Sequence, residues 1–162
     1  MQAKEAIKIA LTSTQNLVPM YLGDLSDADI LVRPAPSANH IAWQMGHLIQ
    51  AEVSLLQGQL PSAVYPELPA GYKEQHHAKN AGSDKGFGSK ADYLSTFTKV
   101  REATIANLTK LSDADLDKPT TGTMAPFAPT LGAFFILLAN HTMMHAGQFT
   151  VVRRKLGKPV VF

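Results

Sequence analysis

From Lys4 to Tyr21 the apolar side chains Ile7, Leu11, Leu17 or Val18, and Tyr21 recur in steps of three and four, the period of an amphipathic helix. A first helix is predicted there. A second should start near Ser37 or Asn39, both capping residues set after Pro34 and Pro36, and run to about Gln57 before Gly58. Ser89 with Asp92 three positions on resembles a capping box and opens a third helix reaching about Leu111. The fourth starts at Thr130 and stops at Gly157, with Arg153, Arg154 and Lys155 in its last turn, where cations complement the helix dipole. Strand signals are weak throughout.

Leu25-Ser26-Asp27-Ala28-Asp29 recurs as Leu111-Ser112-Asp113-Ala114-Asp115, each time just past a predicted helix. The echo implies two similarly built helix–turn–helix halves. Between them residues 58–88 hold eight Gly or Pro and no periodicity, and a loop of that length is usually functional or mobile. We read it as a crossover between helices two and three that can act as a lid. The expected architecture is an all-α four-helix bundle with that one long connection, a single domain over residues 1–162.

Composition narrows the chemistry. A 17.5 kDa chain buries about 69% of its extended surface, enough for one core. There is no cysteine, which excludes disulfides, thiolate zinc sites, iron–sulfur clusters and a cysteine nucleophile. Fifteen Lys and Arg against 13 Asp and Glu leave a net charge of +2, too small and scattered for a nucleic-acid partner. The first residues lack the apolar stretch of a signal peptide, and Leu131 to Ala139 falls short of the ~20 residues that span a bilayer. A cytoplasmic protein without membrane partners is expected. Charged residues make up only 17% against a usual ~25%, which points to surface shared in a homodimer.

Polar groups interrupt the inward stripe of helix four, which runs Leu131, Phe134, Phe135, Leu138, His141, His145, Gln148, Val152. His141 and His145 lie about 40° apart around the axis and ~6 Å along it, so both imidazoles can reach one ion. Their third partner is sought on helix two, where Trp43, His47, Ala51 and Leu55 share a face. One metal would satisfy three buried acceptors together. His40 lies ~10 Å from His47 along the axis, too far to share the ion, and serves the helix start instead. His76 and His77 fall in the polar loop and are expected to be solvated. Thr142 stands where a zinc protease needs Glu after its first His, and the lone Glu-x-x-His, Glu74 to His77, lies in the loop and fails a di-iron bundle. Haem remains open, with the third histidine surplus.

Ile41-Ala42-Trp43-Gln44-Met45-Gly46-His47-Leu48, then Glu52, together with His141-x-x-x-His145-Ala146-Gly147-Gln148, resemble the DinB/YfiT-like family of bundle proteins. The resemblance covers the chain in length and helix order. It implies a divalent metal held by His47, His141 and His145, and does not imply DNA binding. Members include thiol S-transferases and a mycothiol-dependent isomerase, so the resemblance fixes the site better than the reaction.

Three imidazoles leave a metal its positive charge and open positions for a ligand, and Zn, Ni, Fe and Cu all suit such donors. Hydrolysis and thiol transfer both follow. Without cysteine, a sulfur nucleophile must come from a low-molecular-weight thiol cosubstrate such as bacillithiol, mycothiol or glutathione, acting on a small-molecule substrate. Glu52 is the nearest carboxylate to serve as catalytic base, although on an ideal helix it points about 140° from His47, and a salt bridge is its competing use. Gln148 could hold an imidazole or bound water, Gly147 permits close helix approach, and Trp43 walls the pocket. The alternative is a non-catalytic metal- or ligand-binding stress protein.

Overall fold

The computed structural model describes residues 2–161. Four long helices dominate it: α1 (Ala3–Leu22), α2 (Ile41–Gln59), α3 (Lys90–Thr109) and α4 (Leu131–Lys155). Among the described residues there is no strand, only an isolated antiparallel bridge between Pro119 and Thr130. Ser89 and Asp92 form the predicted capping box, and the Thr130 side chain caps α4 by accepting from the Ala133 amide. α2 differs from expectation. His40, not Ser37 or Asn39, is its N-cap, its Nδ1 accepting from the Trp43 amide at 3.1 Å. At the other end α2 passes through Gly58 to Gln59, and the Leu60 amide closes it on the Leu56 carbonyl at 2.7 Å.

The repeated Leu-Ser-Asp-Ala-Asp segments fold alike. Ser26 and Asp29 exchange backbone-to-side-chain hydrogen bonds at 2.8 and 3.1 Å, and Ser112 and Asp115 do the same at 2.8 and 3.2 Å. Each opens one helical turn, Asp29–Leu31 and Asp113–Leu116.

α1 packs mainly on α3 and α4, and so does α2. Consecutive helices α1 and α2 are therefore diagonal, as are α3 and α4. The long segment expected to be the crossover instead joins the neighbours α2 and α3, and the diagonal steps fall to residues 23–40 and 110–130. That long segment is fastened rather than loose. Tyr65 Oη bonds Thr104 Oγ1 at 2.8 Å, the Asn107 side chain donates to the Val64 carbonyl at 3.1 Å, and Arg33 donates to the Ala81 and Ser83 carbonyls.

Two apolar clusters fill the bundle. One gathers Val18, Leu22, Met45, Phe97, Val100 and Phe149, the other Leu11, Leu56, Leu108, Phe134 and Phe135. A polar layer lies between them in sequence order on all four helices: Thr14 on α1, Glu52 on α2, Arg101 and Thr104 on α3, Thr142 on α4, all buried. Arg101 is fully buried and donates to both Glu52 carboxylate oxygens at 2.9 and 2.8 Å, to the Leu11 carbonyl, and to the Thr14 and Thr142 hydroxyls. Every buried charge in the layer is thus paired and hydrogen-bonded, the condition under which charges survive in an interior.

Candidate metal centre

His47 from α2 and His141 and His145 from α4 converge beside this layer. Their candidate ligand nitrogens all lie within 4.8 Å of one another, and ring centroids are separated by 5.2, 5.4 and 4.9 Å. Rings on two helices meet because α2 and α4 are adjacent in the bundle and the one-turn spacing of His141 and His145 places both on one side of α4.

The protein holds the rings in a state fit for coordination. Burial pushes the proton affinity of all three below the ordinary imidazole range; for His141 it falls to about 4, helped by His47 and Arg101, and for His145 to about 3, helped by His141 and His47. Neutral imidazole is the form that binds metals. His145 Nδ1 lies 2.9 Å from Gln44 Oε1, while Gln44 Nε2 donates to the Asn39 carbonyl at 2.8 Å. A carbonyl can only accept, so the Gln44 amide is oriented with its oxygen toward His145. His145 therefore carries its proton on Nδ1, leaving Nε2 as the free electron pair. Neither the His47 nor the His141 ring makes a hydrogen bond among the described residues, and His47 Nδ1 is buried without a partner. Three close imidazoles, each with a ring nitrogen that no other described side chain engages and one of these nitrogens, His47 Nδ1, fully buried, fit a divalent cation.

Trp43 stacks on His47 with centroids 5.0 Å apart and planes 6° from parallel, forming one wall of the centre. Gln148 does not reach the rings. It is exposed, because the apolar stripe of α4 turns inward through Ala146 and Phe149 instead. Gln44, buried at 1% exposure, occupies the supporting position expected of Gln148. The signal was its place on the predicted helix three residues before His47, next to Trp43. Glu52 is buried at 3% exposure with both oxygens engaged by Arg101 and one also by Thr104 at 2.6 Å, so its carboxylate is part of the polar layer. Arg101 was legible as a charge at an apolar position in the Tyr93, Phe97, Val100, Thr104, Leu108 pattern of α3.

The loop histidines part company. His77 is exposed, as expected. His76 is buried at 1% exposure, which corrects the expectation that it is solvated. Its Nδ1 lies 2.8 Å from the Tyr72 carbonyl and its Nε2 2.9 Å from Tyr93 Oη. Its ring fills the space beside Gly46, where a Cβ would come 2.0 Å from His76 Cδ2. A histidine is retained there because both nitrogens find partners inside the fold.

His141 also lines a cavity of about 330 Å³, which His47 and His145 do not. Among solved structures, YfiT from Bacillus subtilis, described as "a probable metal-dependent hydrolase with an unusual four-helix bundle topology", superimposes with a TM-score of 0.71 at 14% identity, covering 96% of this chain and 89% of that one. A conserved protein from Enterococcus faecalis superimposes with a TM-score of 0.71 at 17% identity, covering 98% and 99%. No curated protein matches the sequence. These likenesses establish the bundle fold, and with the DinB superfamily model matching residues 10–149, the chain belongs to the DinB superfamily.

Proposed function

We propose that the protein is a metal-dependent enzyme whose His47, His141 and His145 hold one divalent transition metal, Zn, Ni or Fe, and that it transfers a low-molecular-weight thiol to a small-molecule substrate. The observation that carries this reading is the convergence of the three ligand nitrogens within 4.8 Å. When bound, the ion supplies Lewis acidity that draws the proton from a thiol or water near neutral pH.

The chain's own residues do the rest. Gln44 fixes the His145 tautomer, Trp43 shields one face of His47 from water, and His141 faces the cavity through which a substrate arrives. The sulfur must come from a cosubstrate, since there is no cysteine. Thiol transfer is preferred because Glu52, the carboxylate nearest in sequence, is occupied by Arg101 and Thr104, and an acidified thiol needs no separate base. Hydrolysis is the second reading, favoured by the description of YfiT. The cytoplasm supplies such thiols, and a homodimer would cover the exposed apolar side chains Ile136, Met143 and Val151 on α4; sedimentation as 17.5 kDa particles only would reject the dimer.

Metal analysis of protein purified without added metal, beside His141→Ala, tests the site: about one equivalent should be present and lost on substitution. Unchanged content would remove it. Turnover of electrophiles with bacillithiol, mycothiol or glutathione by the metal-loaded protein tests the reaction, and activity only toward hydrolysable esters or amides would favour the second reading.

A further inference from the structure

The cavity at His141 has a composition that selects its occupant. Leu55 of α2, Leu137, Leu138 and Met144 of α4, and Met124 from the turn Gly122–Met124 form its walls. Among the described residues that line it, the only polar side chain apart from His141 is Asn140, and none carries a charge. At about 330 Å³ it lies at the lower end of small-ligand pockets, about 300–1,000 Å³.

We infer that this cavity is the substrate pocket of the proposed centre and that it takes an uncharged, mainly apolar small molecule, its one polar group directed to Asn140 or toward the histidines. The inference rests on the metal-site reading for its catalytic meaning, but the selectivity follows from the walls alone. A charge placed among leucine and methionine side chains loses part of its hydration without gaining a counter-ion from the walls, and such a transfer is unfavourable. The polar, charged thiol cosubstrate therefore approaches from outside the cavity, and the electrophile occupies it. Two thioethers add adaptability, since unbranched Met side chains reshape around varied apolar ligands.

Methyl-labelled methionine gives a direct readout, because Met124 and Met144 line the cavity while Met20 and Met143 are exposed elsewhere. The metal-free and the metal-loaded protein would both be titrated with anisole, benzenesulfonate and benzyltrimethylammonium, the selectivity of the walls being read in the metal-free protein. Anisole should shift the Met124 and Met144 methyl signals but not those of Met20 and Met143, and both charged analogues should bind about tenfold or more weakly. In the metal-free protein no bound cation attracts or repels either charged analogue, so weakening of both reports the walls. Met144→Glu, at a residue 55% exposed, should fold normally and weaken anisole at least about fivefold by bringing a charge to the wall, whereas Met143→Glu should not. Equal binding of either charged analogue, or no shift at Met124 and Met144, overturns the inference. Failure of the metal reading is a separate outcome: protein that binds no metal yet keeps the anisole shifts.

Discussion

Gln44 Oε1 accepts from His145 Nδ1 at 2.9 Å, and the same amide is oriented by its donation to the Asn39 carbonyl at 2.8 Å. The pair couples the start of α2 to a candidate ligand on α4. A Gln at this position does what a carboxylate or carbonyl does behind many metal-binding histidines: it fixes the tautomer and the ring orientation.

Replacing that acceptor tests the coupling. Gln44→Met keeps the volume and removes the hydrogen bond, and should lower metal affinity about 10- to 100-fold in a chelator competition. Gln148→Met, at the exposed position farther along α4, should leave affinity unchanged. Equal effects of the two substitutions would show that the supporting role was assigned to the wrong glutamine.

The Arg101–Glu52 pair predicts a stability effect distinct from a catalytic one. Arg101→Met leaves the Glu52 carboxylate buried without its cation, and should cost about 3–5 kcal/mol in urea denaturation. Glu52→Gln strands the guanidinium in the same way and should also destabilise strongly. The double change to Met and Gln should be less damaging than the sum, because removing both charges removes the uncompensated one. If Glu52 served instead as a base, Glu52→Gln would abolish turnover while leaving the denaturation midpoint in place.

The boundaries of α3 and α4 and the shared face of His141 and His145 were readable from the sequence because helical periodicity and capping chemistry are local, whereas His47, distant in the chain, was added by its place on the face of helix two and by the family resemblance. What was not readable depends on contacts distant along the chain. His76 looks like a loop histidine until α2 and α3 supply Gly46 and Tyr93 as its surroundings. Glu52 looks like a candidate base until Arg101, 49 residues away, claims it. Gln148 failed for a geometric reason: an ideal stripe extrapolated past His145 drifts off the inward face, which Ala146 and Phe149 occupy. The diagonal placement of consecutive helices has no local signature at all.

Gly46 and His76 make a steric pair with a testable sign. Any Cβ at position 46 would meet the His76 ring at 2.0–2.3 Å, and that ring is held on its other edges by Tyr72 and Tyr93. Gly46→Ala should therefore eject His76, destabilise the fold by about 1–3 kcal/mol and speed proteolysis within residues 60–88. His76→Ala makes room, so the double variant should lose less than the two single losses combined. Additive losses would mean that the two residues do not compete for the same space.

Acid should unfold the metal-free protein earlier than its carboxylates alone require. Besides the three clustered rings, burial lowers the proton affinity of His40 and His76, whereas unfolded imidazoles titrate near pH 6.5. The unfolded chain therefore binds more protons than the folded one between about pH 6.5 and the folded values, about 4 for His141 and about 3 for His145. The slope of unfolding free energy with pH is positive there: stability is highest above pH 6.5 and falls as pH drops toward 4. Each fully shifted imidazole contributes about 1.4 kcal/mol per pH unit near pH 5. Depressed carboxylates act lower, mainly below about pH 4, so the two windows separate. Urea midpoints at pH 7.5, 6 and 5 would measure the slope, and His141→Gln, which leaves a neutral side chain at that site in both states, should reduce it by about one proton. A stability flat from pH 7.5 to 5 would mean that these rings take up protons as readily inside the bundle as in water.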